Sequence, residues 1–268
     1  YSFLSFQTSC HILGMKTSEI RDPTTSSEQK GESLEDSLRT FSSYVDLIIM
    51  RSPVAGLCDR IARLLNETYR PISVINAGSG PDEHPTQALL DLYTLHRGFR
   101  EKGGIKGKKI CIIGDLKRGR TVRSLSKMLS LYEDITIYFV SDPNLQIKED
   151  LRESLLKRKN LDFFETDSLL KAIPHADAIY MTRTQSEYEL DININLNNAE
   201  KYHLKSSHLK TLKKDCLILH PMPRCQEIDR AIDLDPRAFY WRQERNGMWT
   251  RVALISKILG VDDRILLP

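Results

Sequence analysis

The chain has 268 residues, with 39 basic side chains against 36 acidic ones and a formal net charge of +3, a balance that argues against a nucleic-acid surface or a membrane surface. A hydrophobic content of 40% over this length allows a large core, as one big domain or two small ones. No apolar run approaches the roughly 18 residues of a membrane span, and the five cysteines include no C-x-x-C pair, which argues against a disulfide framework or a zinc ribbon and for reduced thiols in the cytoplasm.

Along the chain, Tyr1 to Phe6 lacks the charged region of a signal peptide. Val45 to Met50 and Ile72 to Asn76 read as strands, separated by a helix over Leu57 to Glu67 and followed by a long helix from Pro85 to Gly98. Gly103-Gly104 then offers a hinge, since glycine ends helices and bends freely. Beyond it, β-rich runs alternate with helical patterns. Strands are predicted at Lys109 to Gly114, Ile135 to Val140, Leu161 to Phe164, Ala178 to Met181 and Leu217 to Leu219, and helices at Thr121 to Tyr132, Gln146 to Lys159, Ser168 to Ile173 and Ser206 to Lys213. Asp191 to Ala199, rich in Asn and Ile, reads as a long surface loop, and a last helix is predicted near Trp249 to Leu259. This alternation is that of a parallel sheet with crossover helices. The fold class is α/β, with two doubly wound parallel-sheet lobes joined by helices: residues 1–103 with 238–268, and residues 104–237.

In open α/β sheets, ligands sit at the carboxyl ends of strands where the topology switches. Arg51, His84, Arg120, Arg183 with Gln185, and His220 all follow predicted strands. His84-Pro85-Thr86-Gln87 places an imidazole and an amide at a helix N-terminus, where free N–H groups and the helix dipole favour an oxyanion. In His220-Pro221-Met222-Pro223-Arg224 the two prolines stiffen the turn and withhold their own N–H groups, leaving carbonyls to accept from a ligand NH₂. Three arginines suit phosphate and carboxylates, which guanidinium forks match bidentately. No Walker A, G-x-G-x-x-G or G-x-S-x-G pattern is present, so neither a dinucleotide nor an acyl-enzyme is indicated, and no cofactor is expected. Cys216, His220 and Cys225 raise a metal question, but Cys216 opens a predicted buried strand and reads as a small core residue, so no metal is assigned. Cationic stabilisation of an acyl phosphate attacked by an amine fits this residue set.

The ordered set Lys30-Gly31-Glu32, Met50-Arg51, His84-Pro85-Thr86-Gln87, Gly114-Asp115-Leu116-Lys117 through Arg120-Thr121-Val122, Met181-Thr182-Arg183-Thr184-Gln185 and His220-Pro221-Met222-Pro223-Arg224 resembles the catalytic chain of the aspartate carbamoyltransferases. The sister ornithine enzymes share the His-Pro-x-Gln element but typically differ where this chain has Met222 and Arg183 with Gln185. The resemblance implies transfer of the carbamoyl group of carbamoyl phosphate to L-aspartate, in pyrimidine biosynthesis. It implies that Ser2 belongs to the phosphate-binding set, that Arg51 and His84 hold the phosphate and polarise the carbamoyl oxygen, and that Gln87 and the backbone of Pro221 and Met222 orient the carbamoyl NH₂. Arg120, Arg183 and Gln185 would grip the two carboxylates of aspartate, joined by Lys30. Ser26 and Lys30 would lie on a loop reaching into a neighbouring subunit's site in a homotrimer, and whether regulatory chains attach stays open. The family carries Ser-Thr-Arg-Thr-Arg just before its first conserved helix start, where this chain has Tyr1-Ser2-Phe3 before Leu4-Ser5-Phe6. Aligned without a gap, Tyr1 and Phe3 take arginine positions, which implies impaired carbamoyl transfer by the chain as given. The alternative reading is a non-catalytic homologue acting as a structural or ligand-binding subunit.

Overall fold

The computed structural model describes residues 1–20, 31–80, 83–183 and 200–264. The chain packs as two compact units, Tyr1–Thr86 with Met248–Pro268, and Gln87–Gly247.

The first unit is built on two parallel strands, β1 (Leu47–Ser52) and β2 (Ser73–Ser79), with Leu47 opposite Ser73 and Met50 opposite Asn76. Alternation along the strands sends side chains to opposite faces. Ile48, Met50, Ile72 and Val74 pack on one face with Leu38, Leu57, Ile61 and Leu65 of the helices α2 (Leu34–Ser42) and α3 (Leu57–Asn66). On the other face, Leu47, Ile49, Ile75 and Ala77 meet Phe6 and Cys10 of α1 (Ser2–Ile12) and, from near the chain's end, Leu254, Ile255 and Ile258. The helix α2 is not among the predicted elements, yet its start carries a signal: Ser33 caps it by accepting from the Asp36 backbone N–H at 3.1 Å, with Glu35 and Asp36 in the first turn.

The second unit holds a five-stranded, all-parallel sheet. After α4 (Pro85–Gly98), whose body lies in this unit, the elements run β3 (Lys109–Ile113), α5 (Arg120–Leu129), β4 (Ile135–Val140), α6 (Glu149–Leu156), β5 (Leu161–Thr166), α7 (Leu169–Ala172), β6 (Ala178–Met181), β7 (Leu217–Leu219) and α8 (Tyr240–Ile258). The order across the sheet is β5-β4-β3-β6-β7. The chain therefore moves outward from β3 on one side, then returns to lay β6 and β7 on the other, which makes the β3/β6 boundary the topological switch point. Both faces are covered. Ile110, Ile112, Ile137, Phe139 and Tyr180 face Leu92 and Leu95 of α4, Leu125 of α5 and Leu151 of α6, while Cys111, Ile113, Ile179, Met181 and Ile218 face Leu169, Ile173, Ile228 and Tyr240.

Two of the predicted elements differ in extent, each for a physical reason. Ser206–Lys210 forms a 3-10 turn rather than a helix through Lys213, because this short polar run has few apolar residues to anchor longer helical turns. The last helix begins at Tyr240 rather than near Trp249; its first turns bury the polar Gln243, which interrupts the apolar period that marks a helix in sequence. The units divide at 86/87 and 247/248, inside α4 and α8, where the sequence reading divides the chain at Gly103-Gly104 and Ala238. The α4 residues Leu92 and Leu95 and the following Phe99 belong to the second unit's core.

Candidate active site

In the first unit, three of the sequence-named residues stand at the ends of β1, β2 and α1. Arg51 occupies a register shift between Met50 and Ser52 and is exposed; a bulge of this kind re-aims a side chain at a strand end. The turn beyond it is tied down, with Gly80 N–H donating to Ser52 O at 2.8 Å and Ser79 Oγ to Val54 O at 3.2 Å. Gly80 has φ 47, and a Cβ there would come within 2.9 Å of the Ala55 backbone nitrogen, so the close approach requires glycine. His84, only 5% exposed, precedes the N-terminus of α4, whose first residue is Pro85. Its Nε2 lies 3.5 Å from Ser2 Oγ. Ser2 is placed by α1, which is itself fastened: Arg251 Nη1 donates to Ser5 Oγ at 2.6 Å, and Ser9 Oγ to Met248 O at 3.0 Å. Beside His84, the Thr86 hydroxyl is buried with no hydrogen-bond partner among the described residues. The helix dipole, the imidazole and this hydroxyl make the start of α4 an anion-favouring place.

In the second unit, Arg120 and Arg183 follow the two strands that flank the switch point. Gly114, at the end of β3 with φ 122, has no room for a Cβ, which would stand 2.3 Å from Thr182 O. Thr182 is stitched to β3 through its N–H and its Oγ1, both donating to Ile113 O at 2.8 and 2.9 Å. Arg183 comes next in the chain. Buried Asp115 shapes the turn before α5 by accepting from the Arg118 N–H at 3.1 Å, with Arg118 Nη1 3.5 Å from its other oxygen. Arg120 then opens α5.

Gln87 is 6% exposed and its Nε2 donates to Asp91 Oδ1 at 3.0 Å, one helical turn on. At the end of β7, His220 is fully buried and fully engaged. Its N–H donates to Gln243 Oε1 at 2.8 Å, its Nδ1 accepts from Met222 N–H at 2.8 Å, and its Nε2 meets Glu227 Oε1 at 2.6 Å. These contacts assign the proton to Nε2. Burial alone would raise the Glu227 carboxyl, but the hydrogen bonds from His220 and the Cys225 N–H hold it below the usual range. His220 is thus a post that holds its turn, whereas its position after a strand had suggested a ligand contact. Met222 sits in the left-handed region at φ 51, and no described residue donates to the carbonyl of Pro221 or Met222.

Gln185, Ser26 and Lys30 lie outside the described residues, as does the predicted loop at Asp191 to Ala199. The residues that sequence reasoning missed are the supporting acids and amides Asp91, Gln243 and Glu227. Asp91 had a signal, an acid among Ala88, Leu89, Leu90 and Leu92 four residues after Gln87. Cys216 is buried in the core while Cys225 is exposed, and among the described residues no three His, Cys, Asp or Glu side chains gather as a metal site.

Two family models account for most of the chain. Residues 3–97 match the carbamoyl-P binding domain of aspartate/ornithine carbamoyltransferase, and residues 106–258 match the Asp/Orn binding domain. The chain belongs to the aspartate/ornithine carbamoyltransferase family. Within it, the aspartate carbamoyltransferase catalytic subunit of Clostridium perfringens is 41% identical over 257 residues, covering 96% of this chain and 81% of the relative. That of Methanocaldococcus jannaschii is 42% identical over 256 residues, covering 96% and 80%. Among solved structures, the M. jannaschii catalytic subunit aligns with TM-score 0.84 at 37% identity, over 98% of this chain and 82% of that one. Trypanosoma cruzi aspartate transcarbamoylase in complex with carbamoyl phosphate aligns with TM-score 0.86 at 33% identity, over 97% and 79%.

Proposed function

We propose that this chain is an aspartate carbamoyltransferase catalytic chain, making N-carbamoyl-L-aspartate and phosphate from carbamoyl phosphate and L-aspartate as a step of pyrimidine biosynthesis. The observation that carries the reading is the placement of Arg120 and Arg183 after the two strands that flank the sheet's switch point, in the same unit as the anchored amide of Gln87. A small diacid needs two separate cationic clamps to aim its amine, and an acyl phosphate bearing an NH₂ needs fixed acceptors.

In this mechanism Arg120 and Arg183, with Gln185 and Lys30, hold the two carboxylates. The unprotonated amine attacks the carbonyl carbon, the N–C bond forms, and negative charge gathers on the carbamoyl oxygen. His84 and Arg51 stabilise that charge, which is where preorganised donors contribute most. The C–O bond to phosphate then breaks, and the amine's proton passes to the departing phosphate. Ser2, Arg51 and His84 hold the phosphate, while Gln87 and the carbonyls of Pro221 and Met222 accept from the carbamoyl NH₂. The same reading makes the working assembly a homotrimer, with Ser26 and Lys30 contributed to a neighbour's site, and places it in the cytoplasm. The described residues contain no helix long and apolar enough to cross a membrane, and the described cysteines are all free.

The test is product formation from carbamoyl phosphate with aspartate or with ornithine as acceptor. Carbamoyl-aspartate without citrulline supports the reading, and citrulline overturns the choice of acceptor. Binding of phosphate and succinate with no product from either acceptor supports a ligand-binding subunit instead.

A further inference from the structure

Asp91 is a carboxyl in the second unit's core onto which three neutral side-chain donors converge. Its Oδ1 accepts from Gln87 Nε2 at 3.0 Å and from Gln243 Nε2 at 2.6 Å, and its Oδ2 accepts from Tyr180 OH at 2.6 Å. Asp91 and Gln243 are fully buried and Tyr180 is 1% exposed. Oδ1 already takes two N–H groups and serves only as an acceptor, a proton on the acid lying on Oδ2 beside the Tyr180 hydroxyl, so both glutamines must turn their NH₂ groups toward Oδ1 and their carbonyl oxygens away. For Gln243 that oxygen has a partner, the His220 N–H at 2.8 Å, and His220 in turn accepts from Met222 N–H. For Gln87 no described residue donates to the carbonyl oxygen.

We propose that Asp91 is the positioning residue for amide selectivity: through one oxygen atom it turns the Gln87 carbonyl outward as an acceptor and, by way of Gln243 and His220, fixes the turn that carries the Pro221 and Met222 carbonyls. This deepens the reading above and rests on it. With the amide of Gln87 reversed, an NH₂ would face the ligand's NH₂, and recognition would become repulsion. A site organised around acceptors rejects a ligand whose NH₂ is replaced by methyl, because the acceptors are then left without partners.

The probes are phosphonoacetamide and acetonylphosphonate, two stable phosphonates that differ at the carbonyl by NH₂ against CH₃. Calorimetric titration of the full chain gives the ratio of their dissociation constants, independently of turnover. The wild type is expected to prefer the amide by at least about tenfold, the worth of one well-made hydrogen bond. Asp91→Ala is expected to reduce that preference to within about threefold while leaving acetonylphosphonate affinity nearly unchanged. Asp91→Asn keeps an oxygen for both glutamine amides and is expected to restore most of the preference. If Asp91→Ala does not fold, Gln243→Met, which cuts only the branch to His220, is expected to give a partial loss. An unchanged ratio in a folded Asp91→Ala or Gln243→Met variant, or equal weakening of both probes, overturns the positioning role and leaves the proposed reaction standing. A wild type that binds neither probe, or both alike, overturns amide recognition itself.

Discussion

Replacing Asp91 with Asn should remove a pH-dependent contribution to the second unit's stability whose size follows from its surroundings. Burial pushes the Asp91 carboxyl up from 3.8 to about 7, against the opposing hydrogen bonds from Tyr180, Gln243 and Gln87, with Glu244 adding a smaller upward push. Tyr180 is itself held far above its ordinary value by burial, with the Asp91 charge adding to the shift, and stays protonated through this range. Because the folded-state value is raised, the folded chain keeps a proton that the unfolded chain has lost at pH values between these limits. Stability from this group is therefore fully present below about pH 4 and is lost as the pH rises through about 7. A shift of about 3 units, at about 1.4 kcal/mol each, amounts to roughly 4 kcal/mol across the window. The asparagine does not titrate, so the unfolding free energy of Asp91→Asn minus that of the wild type should climb by roughly 4 kcal/mol from pH 4 to pH 8. Urea unfolding of both proteins at half-unit pH intervals measures this difference, in which titrations common to the two cancel. Curves that run parallel over the whole window would show that Asp91 is ionised throughout, and the desolvation argument would be refuted.

Gly114→Ala should destabilise the second unit by about 3 kcal/mol or more, since its Cβ would stand 2.3 Å from Thr182 O and 2.4 Å from Thr182 Oγ1, in a residue whose N–H and Oγ1 are both held by Ile113 O; denaturation midpoint shifts read the loss. Arg183→Ala should weaken succinate binding by roughly tenfold to a hundredfold, the range for a charge-assisted hydrogen bond, while leaving phosphate affinity nearly intact. Arg51→Ala should do the reverse, and calorimetric titration with each anion decides it, equal losses counting against the division of labour.

The second sheet was legible because its strands are buried on both faces, and such strands read as short runs rich in Ile, Val and Tyr between turn signals. Lys109–Ile113, Ile135–Val140 and Ala178–Met181 accordingly stand where the sequence placed strands. Polar residues used as core residues were harder to see. Gln243 fills a buried position near the start of α8 and Thr94 another on α4, and Asn246 Nδ2 donates to Thr94 Oγ1 at 3.0 Å. An apolar period broken by such pairs reads as a surface or a loop, so α8 was foreseen only in its later turns, where Leu254, Ile255 and Ile258 restore the pattern.

The candidate site divides along the same physical line. The residues proposed to touch a ligand stand out in the sequence because they follow strands or open helices, as Arg51, His84, Arg120 and Arg183 do, although His220 shows that the same position also serves a buried support. Residues that hold those groups in place are hidden, because what defines them is a partner distant in sequence. Glu227 is meaningful only through His220, and Asp91 only through Gln243 and Tyr180. Such a framework has an energetic reason. An amide free to flip presents either a donor or an acceptor to its ligand, so selectivity requires that one orientation be disfavoured by more than the thermal energy, and the acceptor oxygen Oδ1 of the buried acid does this because an amide oxygen turned toward it would leave both oxygens unpaired at a cost of about 1–3 kcal/mol each. The fixed turn at His220 follows the same logic with backbone in place of side chain: Met222 at φ 51 is held by its N–H bond to the imidazole, and the imidazole by Glu227. The unusual conformation and the buried acid are therefore one device, in which the acid fixes the tautomer, the tautomer fixes the turn, and the turn is the one that carries the Pro221 and Met222 carbonyls proposed to accept from the ligand.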